Sequence, residues 1–190
     1  MMDTLSPGFG DPVADSQACF RAVLDAMSRP GRVARVAGVV PPAPLGVAAA
    51  AVALCLFDHE TPIWLDPRAD ACADWIGFHT GAPRVELDRA SFALALSLPD
   101  FASLTAGTHE SPEQSATIVL QVASIGTGSA FRLSGPGLRT PTVLRVTGLP
   151  DDFVARWDAN RALFPRGVDL VLCADDRLTA LPRGIRIEEG

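Results

Sequence analysis

Apolar and polar positions along the chain follow two periods in turn. The first clear run is FRAVLDAM, in which Phe20, Leu24 and Met27 recur at i, i+4 and i+7 with Val23 beside them. That spacing predicts an amphipathic helix that lays one apolar stripe against a sheet. Arg21 and Asp25 fall on the other face, in the less favourable order for an i,i+4 pair, so their mutual attraction is worth at most a few tenths of a kcal/mol. Asp11, Pro12 and Asp15 mark the start, because carboxylates suit the exposed amides of a first turn and proline suits the first helical position. Ser28-Arg29-Pro30-Gly31 is the stop: Pro30 drives Arg29 out of the α region, and Gly31 permits positive φ. Arg29 is thereby set at a corner, ahead of a strand suggested by Val33, Val36 and Val39. Two roles suit it there, a solvated arginine at a helix stop or an anion clamp.

Pro41, Pro42 and Pro44 make a stiff connection to residues 45–57, LGVAAAAVALCLF, an almost wholly apolar run. It is shorter than the roughly twenty residues that cross a bilayer and predicts a buried helix whose alanines allow close approach. Residues 61–66 read as a short strand and 68–78 as a helix with Cys72, Trp75, Ile76 and Phe78 on or near its packing side, ended by Gly81 and Pro83. Residues 84–87 and 92–96 read as strands and 99–104 as a helix. Residues 116–125, ATIVLQVASI, give the strongest strand signal, a run suited to burial on both faces. Within it Gln121 needs partners for its amide. The turn Gly126-Thr127-Gly128-Ser129 into residues 130–133 predicts a hairpin and hence a mixed sheet. A strand at 142–146, a helix at 151–163 started by Asp151 and Asp152, and strands at 168–173 and 178–181 complete the pattern. The expected architecture is one α/β domain over residues 1–190, with a mixed, mostly buried sheet flanked by helices.

Composition narrows the chemistry. The net charge of −6 and pI near 5 disfavour nucleic acid and acidic membrane as partners. All sixteen basic residues are arginine, so no side chain can form a Schiff base and no Walker A loop can be completed. Tyrosine is absent too. Cys19, Cys55, Cys72 and Cys173 form no C-x-x-C pair and read as packed thiols. The N-terminus lacks a basic region followed by an apolar one, which points to the cytoplasm. His59, His79 and His109 lack metal-ligand spacing, and His79 suits a helix end. No G-x-S-x-G elbow occurs, and Gly135-Pro136-Gly137 is no dinucleotide fingerprint, because Thr140 stands where its last glycine belongs.

FRAVLDAMSRPG resembles the opening signature of the PhnH family, a subunit of the carbon-phosphorus lyase system through which bacteria use alkylphosphonates as a phosphorus source. Further blocks follow in that family's order. Asp58 with Thr61-Pro62-Ile63-Trp64-Leu65 resembles its D-x-x-T-P-hydrophobic-W-L segment, and Phe78-His79-Thr80 with Ala82-Pro83 its F-H-T-x-A-P. Gly107-Thr108, Ala116-Thr117, Leu120-Gln121-Val122-Ala123 and Arg132-Leu133-Ser134-Gly135-Pro136-Gly137 resemble the central stretch. Pro165, Gly167-Val168-Asp169-Leu170 and Leu178-Thr179-Ala180-Leu181-Pro182-Arg183 resemble the C-terminal signature; Gly184 departs from it, standing where the family usually has threonine.

The resemblance implies a homodimer-forming subunit related in fold to the large domain of pyridoxal-phosphate transferases, without the cofactor. It implies work with PhnG, PhnI and PhnJ in a core complex. With an ATP-binding accessory subunit, that complex places an alkylphosphonate on C1 of the ATP ribose and displaces adenine; a radical subunit later cleaves the carbon-phosphorus bond. No catalytic residue, metal or cofactor is expected in this chain. Arg29, Arg132 and Arg183 are the candidate ligand-binding residues, since they lie in family-like blocks and guanidinium grips phosphate or phosphonate bidentately. The competing role for each is a carboxylate partner, with Asp169 a natural one. Two readings stand: an architectural subunit, favoured by the missing catalytic signatures, and an enzyme subunit that lends arginines to a phosphate-bearing substrate.

Overall fold

The computed structural model describes residues 6–190. Helix α1 spans Pro12–Ser28, and the Asp11 carboxylate caps it by accepting the amides of Val13 and Ala14, a contribution of about 1 kcal/mol. Its buried face carries Cys19, Val23 and Ala26, whereas Phe20 is 47% and Leu24 51% exposed. Of the expected stripe, Val23 is buried and Met27 packs partly buried against the core, whereas Phe20 and Leu24 are turned outward. Small residues face inward because α1 packs on α2 (Val47–Leu56), where Ala48, Ala50, Ala51 and Ala53 are fully buried. Asp25 pairs with Arg29 and Arg32 rather than with Arg21, whose guanidinium reaches Gln17.

Between these helices lies the two-residue strand β1 (Ala34–Arg35). After α2 come β2 (Ile63–Leu65), a 3-10 turn at Pro67–Cys72, α3 (Ala73–Thr80), β3 (Phe92–Ala95) and β4 (Thr117–Gln121). Trp75 and Ile76 are buried as expected, but Phe78 is exposed. Residues 84–87 do not form the expected strand. Arg84 only bridges Ile63 at the edge of β2, and a 3-10 turn follows at Leu87–Arg89. Likewise only a 3-10 turn, Phe101–Ser103, forms where a helix was expected at 99–104. The chain continues through β5 (Ser124–Ser134), β6 (Thr142–Thr147), α4 (Phe153–Arg161), β7 (Asp169–Ala174), β8 (Arg177–Leu181) and β9 (Arg186–Glu189).

The strands form two sheets. The larger runs β1-β8-β7-β4-β3-β2, with β7, β4, β3 and β2 parallel, β8 antiparallel to β7, and β1 antiparallel to β8. The smaller is antiparallel, β6-β5-β9. No hairpin joins β4 to β5, contrary to the turn read at 126–129. Instead β5 lies wholly in the smaller sheet and pairs with β6 on both sides of an irregularity between Ile125 and Ser129.

Along β4 the side chains alternate between two cores. Val119 meets the helical layer of α1, α2 and α3, while Ile118 and Leu120 meet Phe131 and Leu133 of β5 and Phe153 and Trp157 of α4. The sheet is thus mixed and buried on both sides as expected, but one covering layer is a second sheet carrying α4. Gln121 finds its partners at the end of β4, accepting the Gly46 amide at 2.7 Å and donating to the Pro44 carbonyl at 2.9 Å.

Because Ala50 is fully buried where α2 lies on the sheet, Ala50→Leu is expected to lower stability by about 1–3 kcal/mol through overpacking. A urea-unfolding midpoint, read by far-ultraviolet circular dichroism, checks this.

Candidate functional site

Two turns meet at the end of α1. The Arg29 amide donates to the Asp25 carbonyl at 3.0 Å as the last helical bond, and the Arg32 amide donates to the Arg29 carbonyl at 3.0 Å. Gly31 has φ +81°, and a Cβ there would lie 2.7 Å from Leu133 Cδ1. Opposite, Gly137 in the β5–β6 turn also has φ +81°, and a Cβ there would collide with the Ser28 carbonyl and Pro30. The turn and the corner come this close because Gly137 has no side chain to meet the Ser28 carbonyl and Gly31 none to meet the Leu133 side chain.

Where they meet lies a cleft of about 300 Å³, walled on one side by Arg29 and Arg32 and on the other by Arg139, Thr140 and Thr142. Arg29 and Arg32 share one carboxylate, Asp25, the latter at 3.1 Å. Among the described residues no carboxylate lies within 4.0 Å of Arg139. Three positive charges therefore face one negative charge.

The other two candidate arginines lie elsewhere. Arg132 is exposed on β5, opposite Val143 of β6 and Glu188 of β9. Arg183 is largely buried and fully engaged. Its Nε and Nη2 donate to Asp169, Nη1 donates to the Pro112 carbonyl at 2.7 Å, and its own amide donates to Asp169 at 2.7 Å. Of the three, only Arg29 lines the cleft. Binding a ligand through Arg183 requires breaking the Asp169 pair first.

A second acid–base pair marks the carboxyl end of the parallel strands. Asp66, 4% exposed, follows β2 and accepts from the Arg68 guanidinium, the Arg68 amide and the Leu96 amide, while Arg68 also reaches Ser97. These donors, Arg68 first, outweigh burial and lower its pKa to about 2. The signal for Asp66 was present in the sequence, as an aspartate before Pro67 at a strand end.

His79 packs edge-on against Trp75, with Nε2 3.0 Å from the Ser6 carbonyl, and Thr80 donates to the Ile76 carbonyl. Among the described residues no three His, Cys, Asp or Glu side chains converge as metal ligands. All four cysteines are free thiols, and burial raises the pKa of Cys72 and Cys173.

Comparison with known proteins identifies the lineage. Residues 7–188 match the family model described as bacterial phosphonate metabolism protein (PhnH). This chain belongs to the PhnH family. It is 42% identical to a Rhizobium meliloti (strain 1021) protein named α-D-ribose 1-methylphosphonate 5-triphosphate synthase subunit PhnH, covering 96% of this chain and 95% of that one. It is 32% identical to a Stutzerimonas stutzeri protein, HtxG, named as a candidate C-P lyase subunit, over 90% of this chain and 85% of that one.

The blocks that resembled PhnH are now placed in the structure. Asp58 accepts from the Thr61 hydroxyl and Glu60 amide, Gln121 ties β4 to α2, and Asp169 holds Arg183. These polar groups are engaged by neighbours within the chain, Asp58 at the surface and Gln121 and Asp169 in the fold. The SRPG and SGPG blocks differ, because they form the corner and turn that frame the arginine cleft. Arg32 and Arg139 escaped the sequence reading, since nothing along the chain shows residues 32 and 139 to be neighbours. Gly184 follows the Arg183 pair, its Cβ direction 3.6 Å from the Phe164 ring.

Two measurements follow from these pairs. Arg183→Ala leaves Asp169 buried without its partner and is expected to cost about 3–5 kcal/mol, read from urea unfolding. Asp66 has a folded-state pKa below its ordinary 3.8, so its contribution is complete above that value and lost as pH falls toward 2. That contribution is about 2 kcal/mol. Unfolding midpoints of the unaltered chain are expected to drop more steeply between pH 4 and pH 2 than those of Asp66→Asn.

Proposed function

We propose that this chain is the PhnH-type subunit of a carbon-phosphorus lyase core assembly that includes PhnG-, PhnI- and PhnJ-type chains. The assembly supports transfer of an alkylphosphonate to C1 of the ATP ribose with release of adenine, the ribose 1-methylphosphonate 5-triphosphate synthase reaction. Within it the chain is architectural. The observation that carries this reading is the near full-length identity to a subunit of that name. A second support is internal: among the described residues, the polar side chains of the family-like blocks mostly satisfy one another rather than converge on a reaction site.

The working form in this reading is a cytoplasmic homodimer. Its support is the outward face of α1, where Phe20 and Leu24, one turn apart, leave apolar surface without cover. No helix of the described residues is long and apolar enough to cross a membrane, and the acidic balance disfavours nucleic acid. A fold related to the large domain of pyridoxal-phosphate transferases is part of the same reading, supported by the parallel strands β7, β4, β3 and β2 with antiparallel β8 beside them. The cofactor itself does not fit, because the chain has no lysine to hold it covalently.

The alternative reading, an enzyme subunit lending arginines to a phosphate-bearing substrate, is favoured by one observation, the excess of guanidinium at the α1 corner. Native mass spectrometry is expected to give twice the 20.0 kDa chain mass for the protein alone and one complex on co-expression with the three partner subunits. Phe20→Asp with Leu24→Asp is expected to yield the monomer. The isolated protein is expected to show no turnover of ATP with methylphosphonate; robust turnover overturns the architectural role.

A further inference from the structure

We infer that the cleft between the α1 corner and the β5–β6 turn binds an oligophosphate anion, of the kind carried by nucleoside di- and triphosphates. The inference rests on the second reading above and specifies it. Charge is the first ground. Arg29 and Arg32 divide one carboxylate between them while Arg139 faces them with none among the described residues, so the cleft holds about two uncompensated positive charges in about 300 Å³. Self-repulsion of that kind costs free energy in the empty protein, and an anion relieves it. Donor geometry is the second ground. Guanidinium groups offer paired N–H donors to phosphoryl oxygens, and the Thr140 and Thr142 hydroxyls stand on the Arg139 wall of the same cleft.

The placement of the arginines on two different elements bears on the ligand. Arg29 and Arg32 belong to the helix corner and Arg139 to the hairpin turn, so a chain of phosphoryl groups offers more anionic oxygens to the two elements together than a single phosphate does. Close seating is the third ground, for Gly137 leaves no room for a side chain between the hairpin turn and the Ser28 carbonyl and Pro30 ring of the α1 corner. Asp25 then acts as the competitor: it occupies Arg29 and Arg32 until the anion displaces it.

Titration of the full chain with inorganic tripolyphosphate, followed by isothermal calorimetry at 50 mM and 200 mM NaCl, tests this. The expected results are saturable binding that weakens with salt, a loss of about tenfold in Arg139→Ala and in Arg32→Ala, and a gain of several-fold in Asp25→Asn. Orthophosphate is expected to bind at least tenfold more weakly than tripolyphosphate. Thermal unfolding of each variant shows whether it is folded, and Arg139→Gln repeats the test should Arg139→Ala unfold. Equal affinity in the unaltered chain and both Arg139 variants overturns the inference. Absence of binding together with failure of Arg139→Ala to join the partner subunits also overturns it, and assigns the cleft to an acidic segment of another chain. Either failure leaves the subunit assignment standing, since co-purification tests that separately.

Discussion

The central strands of the main sheet are buried on both faces, and this constraint dictates the rest of the fold. Ile118, Val119 and Leu120 of β4 and Leu170 and Leu172 of β7 are all at 1% exposure or less. A strand of that kind requires two covering layers. On one side the alanines of α2 let the helices sit close. On the other, too few helices are available: α4 covers part of the face, and the chain folds β5, β6 and β9 into a second sheet to cover the remainder.

Where the sequence was legible, local chemistry decided the structure. Asp11 with Pro12, and Pro30 with Gly31, fixed both ends of α1; the apolar run fixed β4; and the partner need of Gln121 was met as polar accounting requires. The misreadings share a cause, that tertiary packing overruled local pattern. Phe20 and Leu24 made the more conspicuous stripe, yet an alanine-rich neighbour accepts Cys19, Val23 and Ala26. Gly126 and Gly128 looked like a hairpin turn, but with φ +106° and +90° they form an irregularity within one long strand that pairs with β6 on both sides of it. Strand β9 went unread because its four residues include one apolar side chain, Ile187, and its place is set by pairing with β5.

The candidate site was half legible. Arg29 announced itself through the proline that follows it, and Asp169 was anticipated as a partner for one of the three arginines, which the structure shows to be Arg183. Arg139 was not, because it reaches the cleft through a hairpin turn placed by the second sheet, and that sheet was itself unforeseen. The excess positive charge is a property of the assembled layers rather than of any motif.

The contact of Gly31 and Gly137 with the opposing turns has a mechanical consequence. With no side chain on Gly137 to act as a spacer, the tip of the β5–β6 hairpin is seated directly on the Ser28 carbonyl and the Pro30 ring at the tail of α1. A molecule that gripped the outer surface of α1 would therefore also bear on the hairpin that carries Arg139.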